Sequence, residues 1–394
     1  MNRKVYVAGI GMIPFMKPGA SAPYTQMGAQ AALAALDDAA ISYDKVEQAY
    51  VSYVYGDSTS GQAAIYGVGL TGIPVFNLNN NCSSGSTALF LARQAVSSGA
   101  AECVIALGFE QMNPGALKGA FEDRPSPMER FAQAMVEIQG FDPNAPRAAQ
   151  LFGGAGRDYL NRYGIKRETF ARISVKARQH AARNPLAVFR QTVTLDEVMA
   201  SPQVFDPLTR LQCCPPTCGA AATILCSADF AQRHKLNTDV FIAAQAMTTD
   251  TPSTFDSRDM RRVVGYDMTA AAAAQVYETA GVGPEDVDVV ELHDCFTANE
   301  LITYEGLGLT PEGTAEKFIL AGDNTYGGKF VVNPSGGLLS KGHPLGATGL
   351  AQCYELVSQL RGAADQRQVE NARLALQHNL GLGGACVVTL YQKS

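Results

Sequence analysis

The chain lacks any apolar run of about 18 residues, so no membrane-spanning helix is expected. It also lacks an excess of positive charge. Lys and Arg number 31 against 37 Asp and Glu, a formal net charge of −6, which argues against nucleic acid as a general partner. The opening "MNRKVYVAGIGM" has no apolar signal core before a cleavage site; it reads as a strand, and secretion is not expected. The closing "LYQKS" is not the Ser-Lys-Leu peroxisomal address. Nine cysteines are scattered rather than spaced as a disulfide framework, which suits reduced thiols and a cytoplasmic location. Cys213, Cys214 and Cys218 cluster in "QCCPPTCG", but no second pair or histidine sits nearby in sequence, so no metal site is expected.

What is present is globular. Hydrophobic residues make up 46% of the 394 positions and charged residues 17%, enough apolar mass for two or three domains. Two stretches share one plan. "MGAQAALAALDDAAISYDKVEQAYVSYVYG" (27–56) and "MTAAAAAQVYETAGVGPEDVDVVELHDCF" (268–296) each read as an Ala-rich helix, a turn and a β-branched strand. A strand precedes each, "KVYVAGIGM" and "DVFIAAQAM". A Gly/Ser-rich turn, a helix and an apolar strand follow each. Alternating strands and helices predict an α/β architecture, here a duplicated half-domain. The halves are expected over 1–112 with 201–232, and over 233–394.

Between them, residues 113–200 read as an inserted loop domain. Its start, "NPGALKGAFEDRPSPMERF", is a loop by its Pro, Gly and charge. A helical stretch follows, and from Arg157 to Arg190 nine basic residues face two acidic ones. Arg172, Lys176 and Arg183 are expected on one helical face, beside an apolar stripe of Ile173, Ala177 and Ala181. Such a face is either solvated or a cover for a phosphorylated ligand.

In "NNNCSSGSTALF", Cys82 stands at the mouth of a helix with only small residues around it. Free N–H groups and the helix dipole there favour a thiolate and are expected to lower its pKa. A nucleophile is one reading and a buried structural cysteine the other. Of the five histidines, His343 lies in "NPSGGLLSKGHPLGATG", the turn that matches the Cys82 turn in the other repeat. His293, in "VVELHDCFTANEL", closes an apolar strand, where α/β ligands bind, and Cys295 is a second thiol there. His378 borders a Gly-rich turn, while His180 and His234 sit among polar residues and are given no role. The three asparagines before Cys82 read as turn chemistry.

Together, "NNNCSSGSTALF", "HDCF" and "NPSGGLLSKGHPLGATGLAQ" resemble the thiolase superfamily, and more narrowly its sterol-carrier-protein-type branch. The resemblance spans nearly the whole chain. It implies a five-layer αβαβα sandwich of two halves with a loop domain over the active site. It implies Cys82 as the acyl-carrying nucleophile and His343 as its activator. His293 takes the place of the Asn of the more usual "NEAF", shaping an oxyanion hole. The usual C-terminal C-x-G thiol is missing, since Asn379-Leu380-Gly381 stands there; Cys295 is similar to the residue that takes over proton transfer in this branch. Backbone N–H groups of Cys82 and Gly381 would form a second oxyanion hole, and Cys386 reads as core. The implied reaction is acyl transfer between a 3-ketoacyl-CoA and CoA. It needs no metal or bound cofactor, and coenzyme A is itself a substrate. A homodimer or higher homo-oligomer is implied, as is a separate lipid-carrier protein, because no carrier domain follows Ser394. Two alternatives stay open: a decarboxylating ketoacyl synthase, which would not need Cys295, and a non-catalytic subunit that binds acyl-CoA.

Overall fold

Strands and helices alternate along the chain, and the sheet they build repeats itself. The structure is a computed structural model and describes residues 3–115, 121 and 123–394. Of the loop expected at the start of the insertion, residues 116–120 and 122 lie outside the described residues. The strands are β1 (Val5–Met12), β2 (Gln48–Ser52), β3 (Val75–Leu78), β4 (Cys103–Glu110), β5 (Gln203–Phe205) and β6 (Leu208–Thr209). They continue with β7 (Gly219–Ser227), β8 (Val240–Thr248), β9 (Val289–Glu291), β10 (Val331–Val332), β11 (Leu374–Gly381) and β12 (Ala385–Lys393). β5 and β6 form their own hairpin; the rest join in the order β10-β9-β11-β12-β8-β1-β7-β4-β2-β3.

That order contains the duplication. In each half the five main strands lie in space as third, second, fourth, fifth, first. In each, the fifth runs antiparallel to both neighbours while the second and third pair in parallel. The two half-sheets touch edge to edge between β1 and β8, with Tyr6 opposite Phe241. Hydrogen bonding continues across that seam, and helices between and outside the two half-sheets give the expected αβαβα layering.

The central helical layer places the site. Helices Ser84–Ser98 and Leu345–Arg361 occupy matching positions in the two halves and pack on each other between the half-sheets. Helices Tyr24–Asp38 and Tyr266–Ala280 cover the outer faces. Ala88, Leu89 and Ala92 of one central helix share a core with Leu350, Ala351 and Leu356 of the other. Burial of each such leucine contributes about 2 kcal/mol. Small residues make the crossing close. A Cβ on Gly349 would lie 2.2 Å from the Ser86 backbone nitrogen, so only glycine fits. The N-termini of both helices, and with them Cys82 and His343, are thereby drawn together.

Two expectations need correction. The apolar C-terminal segment, read as a single strand, forms two: Gly383 and Gly384, at φ of 99° and 97°, turn the chain from β11 back along β12. In the insertion, Arg172, Lys176 and Arg183 do not share a solvent face. The helix ends at Ala181, before Arg183. Lys176 points inward and is buried against Glu300, with the Tyr304 hydroxyl and Val332 O each 3.3 Å away. Lys176 thus anchors the insertion to helix Thr297–Gly306 and is not free to meet a phosphate. Arg172 is exposed, and Arg183 is exposed over the Tyr326 ring. His180 is also buried, bonded to Asn333 O at 2.9 Å and Thr325 Oγ1 at 2.8 Å, so it too pins the insertion in place.

Candidate active site

The turn that carries Cys82 is built by its asparagines. Asn81 adopts φ of 52°, a left-handed value that asparagine tolerates better than most residues. Its side-chain N–H reaches across the halves to Leu382 O at 3.0 Å. Asn80 O accepts from Ser83 N, and Asn80 Nδ2 donates to Thr87 Oγ1 at 3.2 Å, closing the turn onto the helix. Gly381 passes against this turn so closely that a Cβ there would sit 2.2 Å from Asn80 O.

His343 is set from the other half. Its backbone N–H donates to Thr217 Oγ1 at 3.2 Å. Thr348 Oγ1 donates to Pro344 O at 3.0 Å and lies 2.7 Å from His343 Nδ1. The hydroxyl proton is committed to Pro344, so the hydroxyl accepts from Nδ1–H. Nε2 is then left as a bare lone pair, buried and without a hydrogen-bond partner among the described residues. Burial pushes the imidazole pKa down to about 3, which keeps it neutral.

His293 faces it, with ring centroids 5.1 Å apart and planes at 84°. Asn379 Nδ2 lies 3.0 Å from His293 Nδ1, so that nitrogen accepts and Nε2 carries the proton. Its backbone N–H donates to His378 Nδ1 at 3.4 Å, and Asn299 Nδ2 donates to its carbonyl at 2.5 Å. Burial first, then His343 and His378, hold its pKa well below the usual range. One donor atom from each of Cys82, His293 and His343 lies within 4.8 Å of the other two. His378 therefore braces His293.

Cys295 follows at the start of helix Thr297–Gly306 and is 4% exposed. Its carbonyl accepts from Cys214 N at 2.8 Å. Burial raises the Cys295 thiol pKa well above normal, helped by Cys214, Cys82 and Asp294. Cys386 is fully buried in β12 beside Thr269, in the core.

The lowered thiol pKa expected for Cys82 is overturned. Burial, and next the nearby Glu110 carboxylate, push it up to about 12. The helix terminus does not offset this, because desolvation by the surrounding side chains and the Glu110 charge outweigh it. The resting pair is a neutral thiol beside a neutral imidazole. Two further residues here escape sequence reasoning. Glu110 is fully buried and accepts from Tyr55 N at 2.9 Å, Val54 N at 3.1 Å and Gly346 N at 2.9 Å. Cys214 comes to the cleft while its neighbours turn elsewhere: Cys213 Sγ lies 3.4 Å from Thr209 O, and Cys218 is bonded to Met112. A charged residue ending an apolar strand was the available signal for Glu110; the local cysteine cluster marked Cys214 but gave no sign that it alone of the three reaches the cleft.

The family description "Thiolase, N-terminal domain" matches residues 5–229, and "Thiolase C-terminal domain-like" matches residues 249–391. The chain is 57% identical over 394 residues to "Sterol carrier protein 2" of Gallus gallus, covering 99% of this chain and 72% of that protein. It is 35% identical to an "Acetyl-CoA acetyltransferase" of Methanothermobacter thermautotrophicus, covering 99% and 100%. Among solved structures it resembles "Ltp2-ChsH2(DUF35) aldolase", with a TM-score of 0.84 and 25% identity, covering 99% and 98%. It also resembles human mitochondrial 3-ketoacyl-CoA thiolase in complex with CoA, with a TM-score of 0.74 and 19% identity, covering 100% and 98%; that likeness is one of fold. Among the described residues no helix is long and apolar enough to cross a membrane.

Proposed function

The chain belongs to the thiolase superfamily, in its sterol-carrier-protein-type branch, and from that premise we propose that it moves acyl groups between 3-ketoacyl-CoA and CoA. The observation that carries this reading is the meeting of Cys82, His343 and His293, with Cys295 beside them. In the cleaving direction, Nε2 of His343 takes the Cys82 proton as the sulfur attacks the ketone carbon. Proton transfer accompanies attack, because neither group is charged at rest. Negative charge then develops on the ketone oxygen and later on the leaving enolate. Nε2–H of His293 is a fixed donor for such charge, and removing a donor of this kind costs about 3 kcal/mol. The C2–C3 bond breaks, and Cys295 supplies the proton to the departing carbon. A CoA thiol then gives its proton to the Cys295 thiolate and attacks the acyl-Cys82 thioester; the shortened acyl-CoA forms, and the departing Cys82 sulfur takes back the proton held on His343 Nε2.

Two copies would pair along the free edge of β3, the last strand of the sheet. Phe76 on that strand, and Tyr66 and Leu70 just before it, are exposed, which supports a homodimer. The name of the chicken relative is the support for a separate lipid carrier as partner.

The test is thiolysis over a panel of 3-ketoacyl-CoAs of graded length and branching. Cys82→Ala is expected to lower kcat by at least about 10³-fold with an unchanged circular dichroism spectrum. Normal thiolysis in that variant ends the nucleophile assignment. Absence of an acyl-enzyme in the active wild type, trapped by acid quench, favours aldolase-type cleavage, as in the similar solved structure.

A further inference from the structure

The groups that carry the reaction also form a set of metal-ligating donors. Cys82, His293 and His343 each offer one ligand atom, mutually within 4.8 Å. His343 Nε2 is buried and lacks a partner among the described residues. Each ring is steadied through Nδ1, by Thr348 at 2.7 Å and by Asn379 at 3.0 Å. That is the outer-shell pattern that orients histidine ligands. One thiol and two imidazoles with a fourth position left open suit zinc, and they do not suit the oxygen-seeking calcium or magnesium.

We propose that this cleft binds a single Zn²⁺ ion through Cys82, His293 and His343, and that the ion closes the site to thioesters. Bonds of about 2.0–2.3 Å to a tetrahedral zinc place the ligands roughly 3.5 Å apart, so side-chain rotations of about 1 Å complete the set. A sulfur–zinc bond forms as the Cys82 S–H proton passes to solvent. His293 coordinates through Nε2 once its proton has exchanged to Nδ1. The Asn379 amide turns over to accept that proton through Oδ1, a buried atom with no partner among the described residues. One proton is released per ion and no electron moves.

Binding stands apart from the thiolase reading; inhibition rests on it. The test is calorimetric titration of chelator-stripped protein with zinc sulfate, against a competing chelator. One ion per chain is expected, with affinity lower by at least about a hundredfold in Cys82→Ala and in His343→Ala. Cys213→Ala, which changes a thiol turned away from the cleft, is expected to bind as the wild type does. Circular dichroism checks that each variant is folded. Cys82→Ser serves as a second variant, and with cobalt(II) the thiolate charge-transfer band is expected in the wild type and absent in Cys82→Ser. No binding by the wild type, or undiminished binding by the folded Cys82 variants, overturns the site. Zinc binding by a protein without thiolysis sinks the thiolase reading and leaves the site. Thiolysis that persists at saturating zinc overturns the inhibition alone.

Discussion

Glu110, at the end of β4, accepts a hydrogen bond from the backbone N–H of Gly346, 236 positions further along the chain, at a distance of 2.9 Å. The same carboxylate holds the loop after β2 and raises the Cys82 thiol. It therefore ties the two halves together at the mouth of the cleft and sets the charge the sulfur feels.

Glu110 gives a pH dependence with a definite sign. Burial raises its pKa from 4.5 to about 7. A carboxyl group of this kind binds its proton more tightly in the folded state than in the unfolded state. Its contribution to stability is present below about pH 4.5 and is lost as pH rises through about 7. The loss amounts to roughly 3 kcal/mol. Urea unfolding at pH 5 and pH 8 is expected to show a smaller drop in Glu110→Gln than in the wild type. Iodoacetamide is also expected to alkylate Cys82 faster in that variant at a given pH, because the nearby carboxylate is gone. An unchanged alkylation profile would separate Glu110 from the thiol.

Thr348 reads out the tautomer of His343. Thr348→Val removes the hydroxyl that accepts from Nδ1–H, so the imidazole no longer favours the form with a bare Nε2. A fall in kcat on the order of tenfold to a hundredfold is expected, with KM little changed. Thr348→Ser restores the rate. If Val and Ser behave alike in kinetics, the hydroxyl does not set the tautomer.

Cys295 and Cys386 are distinguished by α-proton exchange. Cys295→Ala is expected to slow exchange of the acetyl-CoA α-protons with deuterated solvent by about 10²-fold while leaving Cys82 acylation nearly intact. Cys386→Ala, a change in the core, is expected to cost about 1–3 kcal/mol of stability and little exchange. The reverse pattern moves the second thiol to β12.

Lys176 is a structural cation. Lys176→Met leaves Glu300 buried without its partner and is expected to cost about 3–5 kcal/mol in urea unfolding. Lys176→Met combined with Glu300→Gln recovers much of that loss. The KM for CoA stays unchanged in the double variant; a large rise would return Lys176 to the phosphate site.

The sequence by itself determined the alternating α/β plan, its duplication and the small-residue turns that carry Cys82 and His343. Those features are local: Ala-rich helices, β-branched strands and glycine-bearing turns are written in neighbouring residues. The HDCF tetrapeptide likewise named His293 and Cys295 from within one segment. Tertiary structure decided what each side chain feels. Lys176 and Arg172 are alike in sequence, yet one is buried against Glu300 and the other faces solvent, because helix rotation depends on what packs against it. The Cys82 thiol is raised rather than lowered because desolvation and a carboxylate from β4 outweigh the helix terminus, and both arrive from distant parts of the chain. Cys214 reaches the cleft by a backbone bond to Cys295, a pairing across 81 positions that no local pattern encodes.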